Sequence, residues 1–264
     1  MIIVSWNINS VRLRIGLLQE LIVKHNPDII CLQETKVVDE LFPKQDILDL
    51  GYNYLKIKGQ KSYNGVAILS KIEFKDDFSL KLADIDDARH ISITLPQNIE
   101  LHNFYIPAGG DEPDPVVNPK FAHKLAVVDY MDNWFRLNRK PQDKIIILGD
   151  FNIAPLEHDV WSHKQLLKVV SHTPIEVEKL NKLKSSLNWL DTARHFVPEK
   201  EKLYSWWSYR NKDWKKSNRG RRLDHIWVTR SLEANLVRQE IMKDMRDQAS
   251  PSDHVPVIIE LNLD

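Results

Sequence analysis

Ile145-Ile146-Ile147-Leu148-Gly149-Asp150-Phe151-Asn152 carries four consecutive large apolar side chains, then a glycine, a carboxylate and, two residues on, an amide. A strand with one face in water would alternate apolar and polar residues. An unbroken short run of this kind, rich in β-branched residues, predicts instead a strand buried on both faces. Asp150 at its mouth is then a charge in a place where burial costs free energy unless something positive satisfies it. Six more short apolar runs read the same way: Ile2–Trp6, Ile29–Leu32, Val66–Leu69, Ile91–Leu95, His225–Val228 and Val255–Leu261. Several open or close on polar groups. Ile2–Trp6 leads into Asn7 and Asn9, and Ile29–Leu32 into Gln33-Glu34-Thr35. Asp224 precedes His225, and Ser252-Asp253-His254 precedes Val255.

Between the strands lie helical patterns. In Val11–Lys24 the residues Leu13, Leu17, Leu18, Leu21 and Ile22 share a face, with Asn9 or Ser10 as the expected cap and Pro27 beyond the end. Phe121–Leu137 and Glu176–Leu190 also read as helices. Strands and helices mix without strict βαβ alternation, which predicts two sheets packed face to face with helices outside. The 264 residues, 42% of them hydrophobic, suffice for a large core, and one domain over 1–264 is expected. Lys plus Arg and Asp plus Glu both number 37, so any polyanion must be met by a local patch, not by the net charge. The one cysteine, Cys31, sits in an apolar run, which excludes an internal disulfide and predicts a reducing, cytoplasmic setting. No stretch approaches the ~18 apolar residues of a membrane span, and the N-terminus does not read as a signal peptide.

Taken singly, an Asp or Asn at a strand end is usually a turn residue, and a lone histidine is usually a surface or hydrogen-bonded group. His25, His90 and His123 are accordingly given no role. The conjunction points elsewhere. Two acidic motifs, an Asn pair and an Asp-His pair at strand termini suggest one cluster of oxygen ligands for a hard cation, Mg²⁺ or Mn²⁺. Such an ion on Glu34 lowers the pKa of a bound water and neutralises developing phosphate charge. Asp150 can deprotonate the water. His254, oriented by Asp224, can bind phosphate or carry a proton. Asn152 and Tyr105 can donate hydrogen bonds to phosphate oxygens. The set suits hydrolysis of a phosphodiester, and neither a Gly-rich phosphate loop nor a Gly-x-Ser-x-Gly elbow offers a competing mechanism.

Trp6-Asn7-Ile8-Asn9, Leu32-Gln33-Glu34-Thr35-Lys36, Tyr105-Ile106-Pro107, Gly149-Asp150-Phe151-Asn152, Arg222-Leu223-Asp224 and Ser252-Asp253-His254 resemble, in order, the motifs of the exonuclease III branch of the endonuclease/exonuclease/phosphatase superfamily. The resemblance runs nearly the whole length. It implies a four-layered α/β sandwich and a DNA-repair nuclease acting at abasic sites and 3′ ends. It also implies roles. Glu34 would be the principal metal ligand with Asn7 in or near its shell, Asp150 would activate water, and Asn152 would hold phosphate. Tyr105 would stand against the phosphate or leaving group, Asp224 would orient His254, and Asp253 would be a further metal carboxylate. The metal set expected is Asn7, Glu34, Asp150, Asn152, Asp253 and His254. Whether Asp150 or the Asp224–His254 pair is the base stays open.

Between Tyr209 and Asp224 lie Arg210, Lys212, Lys215, Lys216, Arg219, Arg221 and Arg222 against one acid, Asp213, with Trp206, Trp207 and Trp214 alongside. A charge run is ordinarily a solvated loop. This one leads straight into Asp224, and basic side chains with aromatics suit DNA phosphates and bases. At least one of Trp206 and Trp207 is expected to pack; the resemblance places an abasic-sugar pocket at Trp206, with Leu223 as a second wall, which leaves Trp207 for the core. Arg12 and Lys36 are further candidates for phosphate contact. Arg221 departs from the family, whose members often carry an apolar or aromatic residue there. The partner expected is double-stranded DNA with abasic or 3′-blocked ends, met by a monomer. Two rivals make different demands. A lipid or inositol phosphatase on the same scaffold needs no basic-aromatic segment, and a DNA-binding module with a dead site would have lost a carboxylate or the histidine.

Overall fold

The structure, a computed structural model, describes residues 1–211 and 213–263, with the side chains of Asp76 and Asp77 left aside. Its strands are β1 (Ile2–Asn7), β2 (Ile29–Gln33), β3 (Tyr54–Lys58), β4 (Val66–Ser70), β5 (Lys75–Phe78), β6 (His90–Leu95), β7 (Ile99–Tyr105), β8 (Ile145–Asp150), β9 (Leu190–Asp191), β10 (Trp206–Trp207), β11 (Gly220–Arg221), β12 (Asp224–Val228), β13 (Leu236–Ile241) and β14 (Val257–Leu261). They form two six-stranded mixed sheets, ordered β13-β14-β1-β2-β4-β3 and β5-β6-β7-β8-β12-β9, and a small β10-β11 ribbon.

The unbroken apolar runs are explained by burial on two sides. In β1, Ile3 faces the other sheet while Val4 packs under the helix Ile15–His25. In β8, Ile146 and Leu148 face the first sheet, whereas Ile145 and Ile147 pack beneath the helices Pro119–Asn138 and Pro174–Ser186. Three cores stacked in this way make four layers, helix–sheet–sheet–helix, as expected.

Boundaries and edges differ from the sequence reading. The first helix begins at Ile15, not Val11, and its N-cap is Arg14; Asn9 and Ser10 lie in left-handed backbone and Leu13 is exposed. The third helix stops at Ser186, so Leu190 joins a strand. Sequence missed β3, β5, β7 and β13 and the two-residue β9, β10 and β11. β13, with Arg238 and Glu240, is a half-exposed edge. β7 breaks its apolar pattern with His102 and Asn103, both buried because Asn103 donates to Leu32 O and Ala67 O and His102 bonds His90. A polar residue whose hydrogen bonds lie on another strand gives no local strand signal.

The register decides where the polar groups go. β1 and β2 run parallel, as do β7 and β8, so Asn7, Gln33, Tyr105 and Asp150 all stand at C-terminal ends. β12 is antiparallel to β8 and pairs Asp224 with Asp150, while β14, antiparallel to β1, brings Ser252–His254 to the same edge.

Candidate active site

At that edge the backbone turns sharply. Gly149 sits at φ +134°, where an added Cβ would run into the carbonyl oxygen of Phe104, so β8 can lie this close to β7 only with glycine there. Glu34, Lys36 and Asn152 adopt left-handed φ near +50°, uncommon for residues with a side chain and frequent at functional sites. These turns aim the side chains inward.

Asn7 Nδ2 donates to Glu34 Oε1 at 3.0 Å and to Asp150 Oδ2 at 2.9 Å, tying the ends of the two sheets together. Tyr105 Oη donates to Glu34 Oε1 at 2.8 Å, and Lys36 Nζ meets Glu34 Oε2 at 2.7 Å. Asn152 gives its amide hydrogens to Ile106 O at 2.9 Å and Asp150 Oδ2 at 3.0 Å, so both are already engaged and a phosphate would have to replace one partner. His254 Nδ1 donates to Asp224 Oδ2 at 2.8 Å, and its Nε2 faces Asp150 Oδ2 at 3.7 Å.

The electrostatics come from burial and crowding. Burial pushes the Asp150 carboxyl up, the charges of Asp224 and Glu34 push the same way, and His254 and Asn7 offset only part, leaving it at about 7. For His254 burial opposes the imidazolium, but the carboxylates of Asp224, Asp150 and Asp253 outweigh it and raise the ring to about 10. Burial also lifts Glu34, yet Lys36, Asn7 and Tyr105 together bring it below the usual carboxylate range. Tyr105, buried beside Glu34 and Asp150, is driven well above its ordinary value and stays a neutral donor.

The donors fit a hard cation. Asp150, Asp224 and His254 offer ligand atoms within 4.8 Å of one another, and Asp224 Oδ1 is buried without a hydrogen-bond partner. Glu34 stands one amide away, through Asn7. Asp253 belongs to neither group. It accepts from Asn9 Nδ2 and from Trp206 Nε1, both at 3.0 Å.

A cavity of about 540 Å³ opens beside these groups, with Trp206, Arg210, Arg219, Arg221 and Leu223 in its wall. Trp207 is buried in the core, as expected. Arg12 is exposed and not part of that wall. Arg222, counted in the basic run, does not face the cavity: it is fully buried between Asp159 and Asp191, at 2.8 and 2.9 Å. Lys215 pairs with Asp247, and Lys212 lies outside the described residues.

Sequence reading missed Ser205 and Trp161. Ser205 Oγ donates to Asp224 Oδ2 at 2.6 Å and accepts from the amides of Leu223 and Asp224. Trp161 lines the cavity under Arg219. A buried serine beside two tryptophans and a lone tryptophan in a loop carry no local pattern; only their contacts mark them.

The family profile described as Endonuclease/Exonuclease/phosphatase matches residues 4–254. Exodeoxyribonuclease III of Haemophilus influenzae is 32% identical over 268 aligned positions, covering 97% of this chain and 98% of its own. An AP endonuclease from Archaeoglobus fulgidus superposes with a TM-score of 0.92 at 28% identity, each chain covered in full. A 3′ phosphatase from Neisseria, solved bound to a product DNA hairpin, superposes at 0.90 and 29% identity, again over both full chains. With the fold, the convergent strand ends and the profile in agreement, this chain belongs to the endonuclease/exonuclease/phosphatase family.

Proposed function

We propose that this chain is a metal-dependent DNA phosphodiesterase of base excision repair, acting as an abasic-site endonuclease, a 3′-phosphatase and a 3′–5′ exonuclease through one hydrolytic centre. The observation that carries the reading is the Asp150–His254–Asp224 cluster opening onto a wall of arginine and tryptophan in the same cleft. A lipid or inositol phosphatase has no use for that wall. Relatives named exodeoxyribonuclease III and AP endonuclease support the DNA substrate.

Glu34, with Asn7 beside it, and Asp150 with Asp224 would hold Mg²⁺ or Mn²⁺, since all offer hard oxygen donors. When bound, the ion supplies Lewis-acid neutralisation of phosphate charge and a more acidic water. The chain's own groups do the rest. Asp150, poised near neutrality in the metal-free protein, takes the proton of the attacking water. His254, kept cationic by Asp224 and therefore not a ligand of the ion, faces the phosphate oxygens as charge builds on them. Asn152 and Tyr105 add neutral donors on exchanging one of their present acceptors, Asp150 or Ile106 O for Asn152 and Glu34 for Tyr105, for a phosphate oxygen. As the water oxygen bonds to phosphorus, the opposite P–O bond breaks and its electron pair goes to the departing oxygen, which takes a proton from solvent while the proton of the attacking water stays on Asp150.

Both sheets contribute to one cleft, so residues 1–264 act as one catalytic unit and a monomer suffices. A reducing, cytoplasmic setting accords with the sole cysteine, Cys31, buried and free; among the described residues no helix is long and apolar enough to cross a membrane. The deciding experiment compares duplexes bearing an internal abasic site, a 3′-phosphate or a blunt 3′-hydroxyl end, with Mg²⁺ and with EDTA. Cleavage that requires the metal is expected on all three. Metal-dependent hydrolysis of an inositol phosphate with none of DNA would overturn the reading.

A further inference from the structure

Arg221 is held in a way that leaves its charge unanswered. Its guanidinium lies over the Trp206 ring, 5.3 Å from the centroid, and Nη1 donates to Val170 O at 2.9 Å and Ser171 Oγ at 2.7 Å. Both acceptors are neutral. Its Nε is buried with no partner, and among the described residues no carboxylate forms an ion pair with it. The acid that acts on it most, Glu176, is itself neutralised by Lys124 at 2.5 Å. Burial accordingly lowers the guanidinium from its ordinary value. A desolvated cation without a contacting counter-ion costs free energy that a bound anion would return. Arg219, exposed and stacked 4.7 Å from the Trp161 ring centroid, is a second cation in the same wall, held by an aromatic face and still solvated.

The backbone ladder says which anion. Trp206 pairs directly with His254 on one side and with Arg221 on the other. Residues directly opposite in a ladder project to one face, and neighbouring strands stand ~4.8 Å apart. His254, Trp206 and Arg221 therefore line the cleft in that order, and all three border the cavity. A phosphate at His254 and Asn152 leaves an aromatic face for one sugar and a guanidinium for the group bonded to the far side of that sugar. In a nucleic acid strand, that group is the next phosphate.

We propose that Arg221, supported by Arg219, binds the backbone phosphate one nucleotide beyond the scissile one, on the far side of the sugar lying on Trp206. This rests on the DNA phosphodiesterase reading and adds a substrate preference to it. The site favours an interrupted base within a continuous strand over a 3′ end that lacks a further phosphate.

The test neutralises either side of the contact. Duplexes carry an abasic analogue whose adjoining phosphate is normal or is an uncharged methylphosphonate, with a control methylphosphonate several nucleotides away. Cleavage rates are measured with Mg²⁺ and binding by fluorescence anisotropy in EDTA, for wild type, Arg221→Met and Arg221→Lys. Neutralising the adjoining phosphate is expected to weaken wild type ~10- to 100-fold, the range for a hydrogen bond to a charged group. Arg221→Met should lose a similar factor on the normal duplex and be insensitive to the methylphosphonate, with Arg221→Lys between. The ratio of internal cleavage to 3′-phosphate removal should fall in Arg221→Met. If wild type cleaves the normal duplex but ignores the methylphosphonate, or if Arg221→Met remains as sensitive as wild type, the phosphate assignment is wrong while the nuclease reading stands. If wild type cleaves no DNA, both fall. Should the variants fail to fold, the wild-type comparison alone decides.

Discussion

The imidazole of His254 is fixed from one side only: its Nδ1 donates to Asp224 Oδ2 at 2.8 Å, while its Nε2 faces Asp150 at 3.7 Å across a gap too long for a hydrogen bond. One carboxylate orients the ring, and the other lies within its field.

That pairing sets a pH dependence. The folded midpoint of His254, about 10, lies above its ordinary 6.5. Its stabilising contribution is therefore complete below pH 6.5 and lost as pH rises through 10. Asp224→Asn should bring the midpoint down toward the ordinary value, read by NMR titration of the ring in metal-free protein. The variant's stability deficit relative to wild type should also narrow as pH rises across that window. An unchanged midpoint would mean that Asp224 does not charge the ring.

Glu34 carries the metal expectation most directly. Glu34→Ala should lower Mg²⁺-supported cleavage by at least ~100-fold, no less than losing a residue that only orients a metal ligand. Mg²⁺ should also raise the thermal midpoint of wild type more than that of the variant, because a ligand that binds only the folded state stabilises it. Equal shifts in both proteins would place the ion elsewhere.

Ser205 is the residue whose role is invisible before folding. With its hydroxyl on Asp224 Oδ2 and two backbone amides on its oxygen, it fixes the carboxylate that fixes the histidine. Ser205→Ala should reduce turnover ~10- to 100-fold, the cost typical of losing an orienting partner. The pH profile should shift with it, and Ser205→Thr should restore part of the activity. A loss of stability with kcat and its pH profile unchanged would make Ser205 merely structural.

Arg222 tests the frame. Fully buried, it bridges Asp159 and Asp191 immediately before Leu223 and Asp224. Removing it strands two buried carboxylates, so Arg222→Leu should cost about 3–5 kcal/mol in urea unfolding. A change within about ±0.5 kcal/mol, usual for surface positions, would show that the network is not satisfied as described.

The amino-acid sequence alone determined the sandwich and the identities of the polar residues at its mouth. Strands buried on both faces are mostly continuous apolar runs, so a polar residue at their ends stands out, whereas β7, with buried His102 and Asn103 inside it, went unread. The family resemblance, not the residues alone, separated Trp206 from the packing Trp207. Tertiary structure decided what no window of sequence contains: that parallel β1/β2 and β7/β8 and antiparallel β12 and β14 bring those ends to one edge. It decided as well that Arg222 turns inward while Arg221 faces the cleft, that Asn152 arrives with its amide hydrogens engaged, and that Ser205 and Trp161 belong to the site. Register and burial are long-range properties. A charged side chain's meaning depends on whether its partner is water, a carboxylate from a distant strand, or a ligand still to come.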